Sequence, residues 1–179
     1  MEYISIIVWV IIVIVVWYIT TLNSIKRAAL KVDEADSGID VALTKRYDVL
    51  TKMLDTVKGY QQYEKSTLTE MIQLRNGMSI SEKNQANKAM DQMTNNIRVL
   101  AEAYPELRAN VAFVKLQDTI ADVEEHLQAA RRLYNANVNT YNSKLVVFPS
   151  SIVAHSMGAM KRDLFVADDE KRQDVEMRF

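Results

Sequence analysis

Charged and amide side chains recur at helical spacing in this chain, on the faces where apolar residues also recur. Asp36, Arg46 and Glu64 share the heptad phase of Val32, Ile39, Leu43, Leu50, Met53 and Val57, with Arg75 at its far end. A second polar row, Gln117, Glu124, Gln128, Arg131, Asn135 and Asn142, advances in three- and four-residue steps beside an apolar row of its own. A lone Arg or Glu inside a protein costs several kcal/mol, so the two rows are consistent with folding only if they pair across an interface. Two kinds of chemistry fit. One is an interior polar network that selects a single antiparallel register; the other is a polar pocket in which Arg46, Glu64, Arg75, Glu124 and Arg131 act on a ligand. We expect the network, because no nucleophile, metal set or loop accompanies the cluster.

Other chemistry finds little to work with. A di-iron bundle needs Glu-x-x-His on two helices, but Val123 and Ile152 stand three residues before His126 and His155. His126 beside Glu124 and Glu125 reads as a solvated residue of a helix surface. There is no HExxH, GxxxxGK[ST], GxSxG or GxGxxG, and four glycines leave little for a phosphate-cradling loop. The chain has no cysteine, so thiolate metal sites and cysteine nucleophiles are excluded. A net charge of -1, with Lys and Arg interspersed among acids, argues against a nucleic-acid partner. The expectation is a protein without catalytic residues, metal or cofactor.

The elements that would carry the polar rows are long helices. Four Gly and two Pro in 179 residues, against roughly 7% and 5% in average proteins, leave few sharp turns. From Tyr3 to Leu22 the chain is uncharged, long enough to cross a bilayer as a helix, with Tyr3 at one end and Trp17 and Tyr18 near the other. Met1-Glu2 before the run and Thr20 to Asn23 after it do not resemble a cleaved signal peptide, so an uncleaved anchor is expected. Lys26, Arg27 and Lys31 follow the span while no Lys or Arg precedes it, which places the N-terminus outside and the body in the cytoplasm.

Beyond the anchor, the apolar spacing Val32, Ile39, Leu43, Leu50, Met53, Val57, Tyr60, Met71, Leu74 predicts one helix running to Arg75. Asn76-Gly77 stops it, and Ser79 with Glu82 makes a capping box for the next, whose buried stripe is Ala86, Met90, Met93, Ile97, Leu100 and Tyr104. Pro105 ends that helix and starts a third, with Phe113, Leu116, Ile120, Val123, Leu127, Tyr134, Val138, Tyr141 and Leu145 inward, up to Pro149. A fourth, shorter helix fits Ser150 to Phe165, presenting Val153, Met157, Met160 and Leu164. The organisation expected is an anchor over 1–22, a bundle over 23–165 and a charged, mobile tail over 166–179. The fold class expected is all-α: an N-terminal transmembrane helix followed by an antiparallel up-and-down four-helix bundle.

Two segments resemble the LemA family. The stretch SGIDVALTKRYDVLTKMLDTVKGYQQYEKSTL carries Ile39, Asp40, Leu43, Arg46, Val57, Lys58, Gly59, Tyr60 and Glu64 at the family's landmarks. Further on, AYPELRANVAFVKLQDTIADVEEHLQAARRLYNANVNTYN is similar to the second signature through Tyr104, Pro105, Leu107, Glu124, Arg131, Tyr134, Asn135, Val138, Tyr141 and Asn142, and Phe148-Pro149 and Ala154 match its close. Departures are Leu50 to Met53 where the family commonly has proline and asparagine, Tyr63 in place of a histidine, and Ala159 in place of an aromatic. The resemblance implies a single-span anchor and an up-and-down four-helix bundle, in a family whose biochemical activity is not established.

Helix lengths suggest a partner. At 1.5 Å per residue the first helix would extend about 80 Å beyond the membrane, the second return about 40 Å and the third run about 60 Å. The stripe Ala28, Ala29, Val32, Ile39 and Leu43 would then lack cover in its own chain, and Ala28, Val32, Ile39 and Leu43 become candidates for a homo-oligomer interface. The function expected is a non-catalytic, homo-oligomerising scaffold of the bacterial inner membrane. The alternative is a membrane-tethered adaptor or sensor that binds another envelope protein or peptide.

Overall fold

A computed structural model describes residues 2–58, 74 and 77–165. All regular structure in them is helical: α1 (Glu2–Lys58), α2 (Ile80–Ala103), α3 (Pro105–Arg108), α4 (Val111–Val146) and α5 (Ser150–Ser156). The fold is all-α, built of long helices of which the first begins with an apolar stretch. Glu64, Arg75, Tyr60, Met71 and the tail lie outside the described residues.

The helix boundaries follow local chemistry. α1 runs 57 residues without a break, as its lack of Pro and its single interior Gly38 allow. It was expected to continue through Leu74, which is not helical. Gly77 adopts φ 78, a left-handed conformation that glycine reaches without strain. Ser79 then caps α2: its Oγ accepts from the Glu82 N–H at 3.3 Å, while the Ser79 N–H donates to Glu82 Oε2 at 2.7 Å. The third predicted helix is divided. α3 is one turn led by Pro105, and Asn110 then opens α4, its Oδ1 accepting from the N–H groups of Ala112 and Phe113 at 2.9 and 3.2 Å. The fourth predicted helix stops at Ser156 rather than Phe165, because Gly158 at φ 62 turns the chain out of the helix. Met160 and Leu164 are accordingly exposed, and Phe165 is buried in their place.

The described residues form two compact units. One takes α1 up to Ile39 and the chain from Arg132 to Asp163. In it α1 and α4 run antiparallel: Lys144 Nζ donates to Ser24 Oγ at 2.8 Å, and Asn137 Nδ2 to the Lys31 carbonyl at 3.1 Å. Ile25, Ala28, Val32 and Ile39 are buried, as are Tyr134, Val138, Tyr141 and Val153. The window long and apolar enough to cross a membrane lies at the start of α1 and has none of its surface buried. Its Val and Ile side chains face outward all round, which suits lipid and not water.

The other unit takes α1 from Asp40, then α2, α3 and α4 up to Arg131, with Leu164 and Phe165. Its apolar core contains Leu43, Leu50, Met53, Val57, Met90, Met93, Ile97, Leu107, Phe113 and Leu127. Here α2 runs in the same direction as α1, since Asp40 pairs with Lys83 and Arg46 with Asn87 and Asp91. The second predicted helix was expected to return along the first.

Candidate functional site

Arg46 is among the largest fully buried side chains of the described residues, and charged and amide groups from two other helices surround it. α1 presents it within the stripe of Leu43, Leu50 and Met53. α2 presents Lys83, Asn87 and Asp91 at four-residue spacing, one face of one helix. α4 presents Glu124. Arg46 Nη1 donates to Asn87 Oδ1 at 2.7 Å and to the Asn87 carbonyl at 3.3 Å, and Nη2 donates to Asp91 Oδ1 at 2.5 Å. Glu124 Oε1 lies 2.6 Å from the same Nη2, but completes no aligned hydrogen bond among the described residues, so its hold on the guanidinium is coulombic. One turn away, Lys83 is buried and its Nζ sits 2.7 Å from Asp40 Oδ1. One cation held by two carboxylates and an amide, on three helices, is a register device: a one-residue slip of any helix would strand a buried charge.

The predicted interior row disperses. Arg46 and Glu124 meet across α1 and α4, whereas Gln117 is exposed near the start of α4, where a neutral amide reaches water at no cost. Arg131 is half-buried, its guanidinium 4.5 Å from the centre of the Phe165 ring, a cation–π contact. Asp36, Asn135 and Asn142 are half-buried in the first unit. Asn142 grips the backbone of Arg162 from both sides: its Nδ2 donates to the carbonyl and its Oδ1 accepts from the N–H, both at 2.9 Å. The Lys83, Asn87, Asp91 row was not anticipated. Its four-residue spacing beside Ala86 and Met90 was the available signal.

The oligomer candidates Ala28, Val32, Ile39 and Leu43 are buried within their own chain, at 7%, 1%, 0% and 1% exposure. The expected overhang fails because α4, antiparallel to α1 and 36 residues long, reaches back as far as Ser24 and covers the stripe.

Tyr134 ties α4 to the segment after Gly158, its hydroxyl donating to the Asp163 carbonyl at 3.0 Å. Burial, and then the negative charge of Asp36, push its phenol up to about 12, with Asp163 and Asp33 adding and Arg162 opposing. Arg162 also reaches Asp33, 3.2 Å away on the exposed surface of α1.

Beside the end of the apolar span, the first unit holds a cleft of about 460 Å³ between α1 and α4. Ser24, Arg27 and Lys31 line it from α1, and Asn137, Thr140 and Lys144 from α4. Three cations and no acid face it, so its chemistry favours an anion. No group of three or more His, Cys, Asp or Glu able to hold a metal occurs among the described residues.

The pattern of the LemA family matches residues 35–179. The chain is also 27% identical over 164 residues to Protein LemA of Metamycoplasma hominis, covering 89% of this chain and 75% of that one. The match takes in Arg46, Asn87, Asp91 and Glu124 as well as both segments that first suggested it, and the chain belongs to the LemA family.

Proposed function

We propose that the protein is a non-catalytic, single-pass module of the bacterial inner membrane that works by holding other envelope proteins beside the bilayer. The observation that supports this most is α1 itself: a fully exposed apolar stretch continues without a turn into the helix that carries Arg46. Arg46 is 2% exposed, its Nη1 and Nη2 are engaged by Asn87 and Asp91 with Glu124 beside them, and a guanidinium does not act as a base at neutral pH. The cluster therefore serves alignment. Lys26, Arg27 and Lys31 after the span, joined in the same unit by Lys144, favour a cytoplasmic bundle.

The homo-oligomerising scaffold first expected relied on the stripe of Ala28, Val32, Ile39 and Leu43, which the chain covers itself. Partner binding is accordingly the stronger reading. Light scattering on full-length protein extracted in mild detergent tests it: one chain per particle is the expected result. A large, defined oligomer would return the reading to a self-assembling scaffold.

A further inference from the structure

The end of the first unit that lies beside the span carries a second apolar surface. From Leu145 to Met160 the chain has no Asp, Glu, Lys or Arg, and His155 is its one titratable side chain. Within that stretch, Val146, Val147, Phe148 and Ile152 are 57%, 57%, 76% and 56% exposed. Four large apolar side chains on one tight bend, between the end of α4 and the start of α5, form a patch that water disfavours.

The position of the bend relative to the anchor is fixed inside one compact unit. Lys144, the last charged residue before the bend, binds Ser24, just beyond the end of the uncharged span at Leu22. Beyond the bend, Ser156 meets Tyr18, the two hydroxyls 3.0 Å apart. Tyr18 lies four residues inside Leu22, about 6 Å along a helix, and interfacial elements settle about 5–10 Å into the headgroup and acyl boundary. The patch is therefore level with the end of the span that would face the headgroups, and Arg27, Lys31 and Lys144 stand just behind it, where lipid phosphates would be.

We propose that the bend over Val146 to Ile152 is a second membrane contact, a wedge seated in the leaflet next to the anchor, with the lipid bilayer as its occupant. It rests on the reading of Tyr3 to Leu22 as a span. Two attachments, one through the bilayer and one into its surface, hold this unit against the lipid rather than leaving it to pivot on a single helix.

The lack of cysteine makes the test direct. Single variants Phe148→Cys, Val147→Cys, Ile12→Cys in the anchor and Val99→Cys on α2 are labelled with a polarity-sensitive fluorophore. Each full-length protein is reconstituted into vesicles of phosphatidylethanolamine and phosphatidylglycerol and exposed in turn to aqueous iodide and to lipids bearing nitroxides in the upper acyl chain or, to reach Ile12 at mid-span, near the chain end. The Phe148 and Val147 labels are expected to be quenched by the lipid nitroxides and to be roughly five-fold or more less sensitive to iodide than Val99. Free iodide quenching at 147 and 148, with Ile12 reached by lipid nitroxides, overturns the wedge and leaves the anchor standing. Shielding from both quenchers overturns it in favour of a protein, another copy or a partner, covering the bend. If Ile12 is not reached by lipid nitroxides, the span itself fails and the wedge with it.

Discussion

The two compact units hold polar groups inside helical packing in opposite ways. The unit from Asp40 onward buries full charges, Arg46 and Lys83, and answers them with carboxylates on neighbouring helices. The unit built on the start of α1 uses mostly neutral groups that bind backbone: Asn137 on the Lys31 carbonyl, Asn142 on Arg162, Tyr134 on the Asp163 carbonyl. A buried charge has few acceptable surroundings and demands them on several helices at once, so it specifies an alignment. An amide on a carbonyl needs only a strand of chain at the right distance and fastens locally.

Breaking the charged side should cost most. Arg46→Met leaves Asp91 and Glu124 facing one another without a cation and is expected to destabilise the protein by about 3–5 kcal/mol, read from the denaturant midpoint. Adding Asp91→Asn and Glu124→Gln to that variant should recover a large part of the loss, because the damage is uncompensated charge. Equal midpoints for the single and triple variants would remove the charge argument and leave only lost packing.

Tyr134 sharpens the other side. Its phenol keeps its proton to about pH 12 in the folded chain but releases it near 10 once unfolded. Stability from this group is thus complete below pH 10 and declines as pH rises from about 10 to 12. Tyr134→Phe should cost about 0.5–1.5 kcal/mol at neutral pH by loss of the hydrogen bond, and should flatten that part of the alkaline decline. Parallel alkaline curves for the two proteins would contradict it. The smallest effect is expected at the exposed Asp33–Arg162 pair, where Arg162→Ala should change stability by less than about 1 kcal/mol and the difference should fade in high salt.

Much of this was legible in the residues. Ser79 and Glu82, Pro105 and Pro149 mark helix ends because capping and proline act over three or four residues, a range that sequence displays directly. The inward stripes of Val32 to Val57 and of Ala86 to Ile97 followed from period alone. Direction and cover did not, because they are decided between helices. Summed helix lengths left Ala28 to Leu43 bare, while in the fold α4 reaches them from the far end of the chain. The partners of Arg46 are legible in part for the same reason: Glu124 lies in a row of like residues, whereas Asn87 and Asp91 flank the apolar stripe of Ala86 and Met90, which dominates the period of that helix.

The Arg46 cluster also sets an order of events during synthesis. The apolar stretch and Arg46 leave the ribosome first, but Asn87 and Asp91 come 41 and 45 residues later. Glu124 follows Arg46 by roughly 80 residues, and at about 5–20 residues per second that is a delay of roughly 4 to 16 seconds. Through that interval the guanidinium lacks its partners on a chain whose apolar stretch has already emerged. Closure of the cluster is thus a late step, one that comes after the whole apolar stretch of α1 has been made.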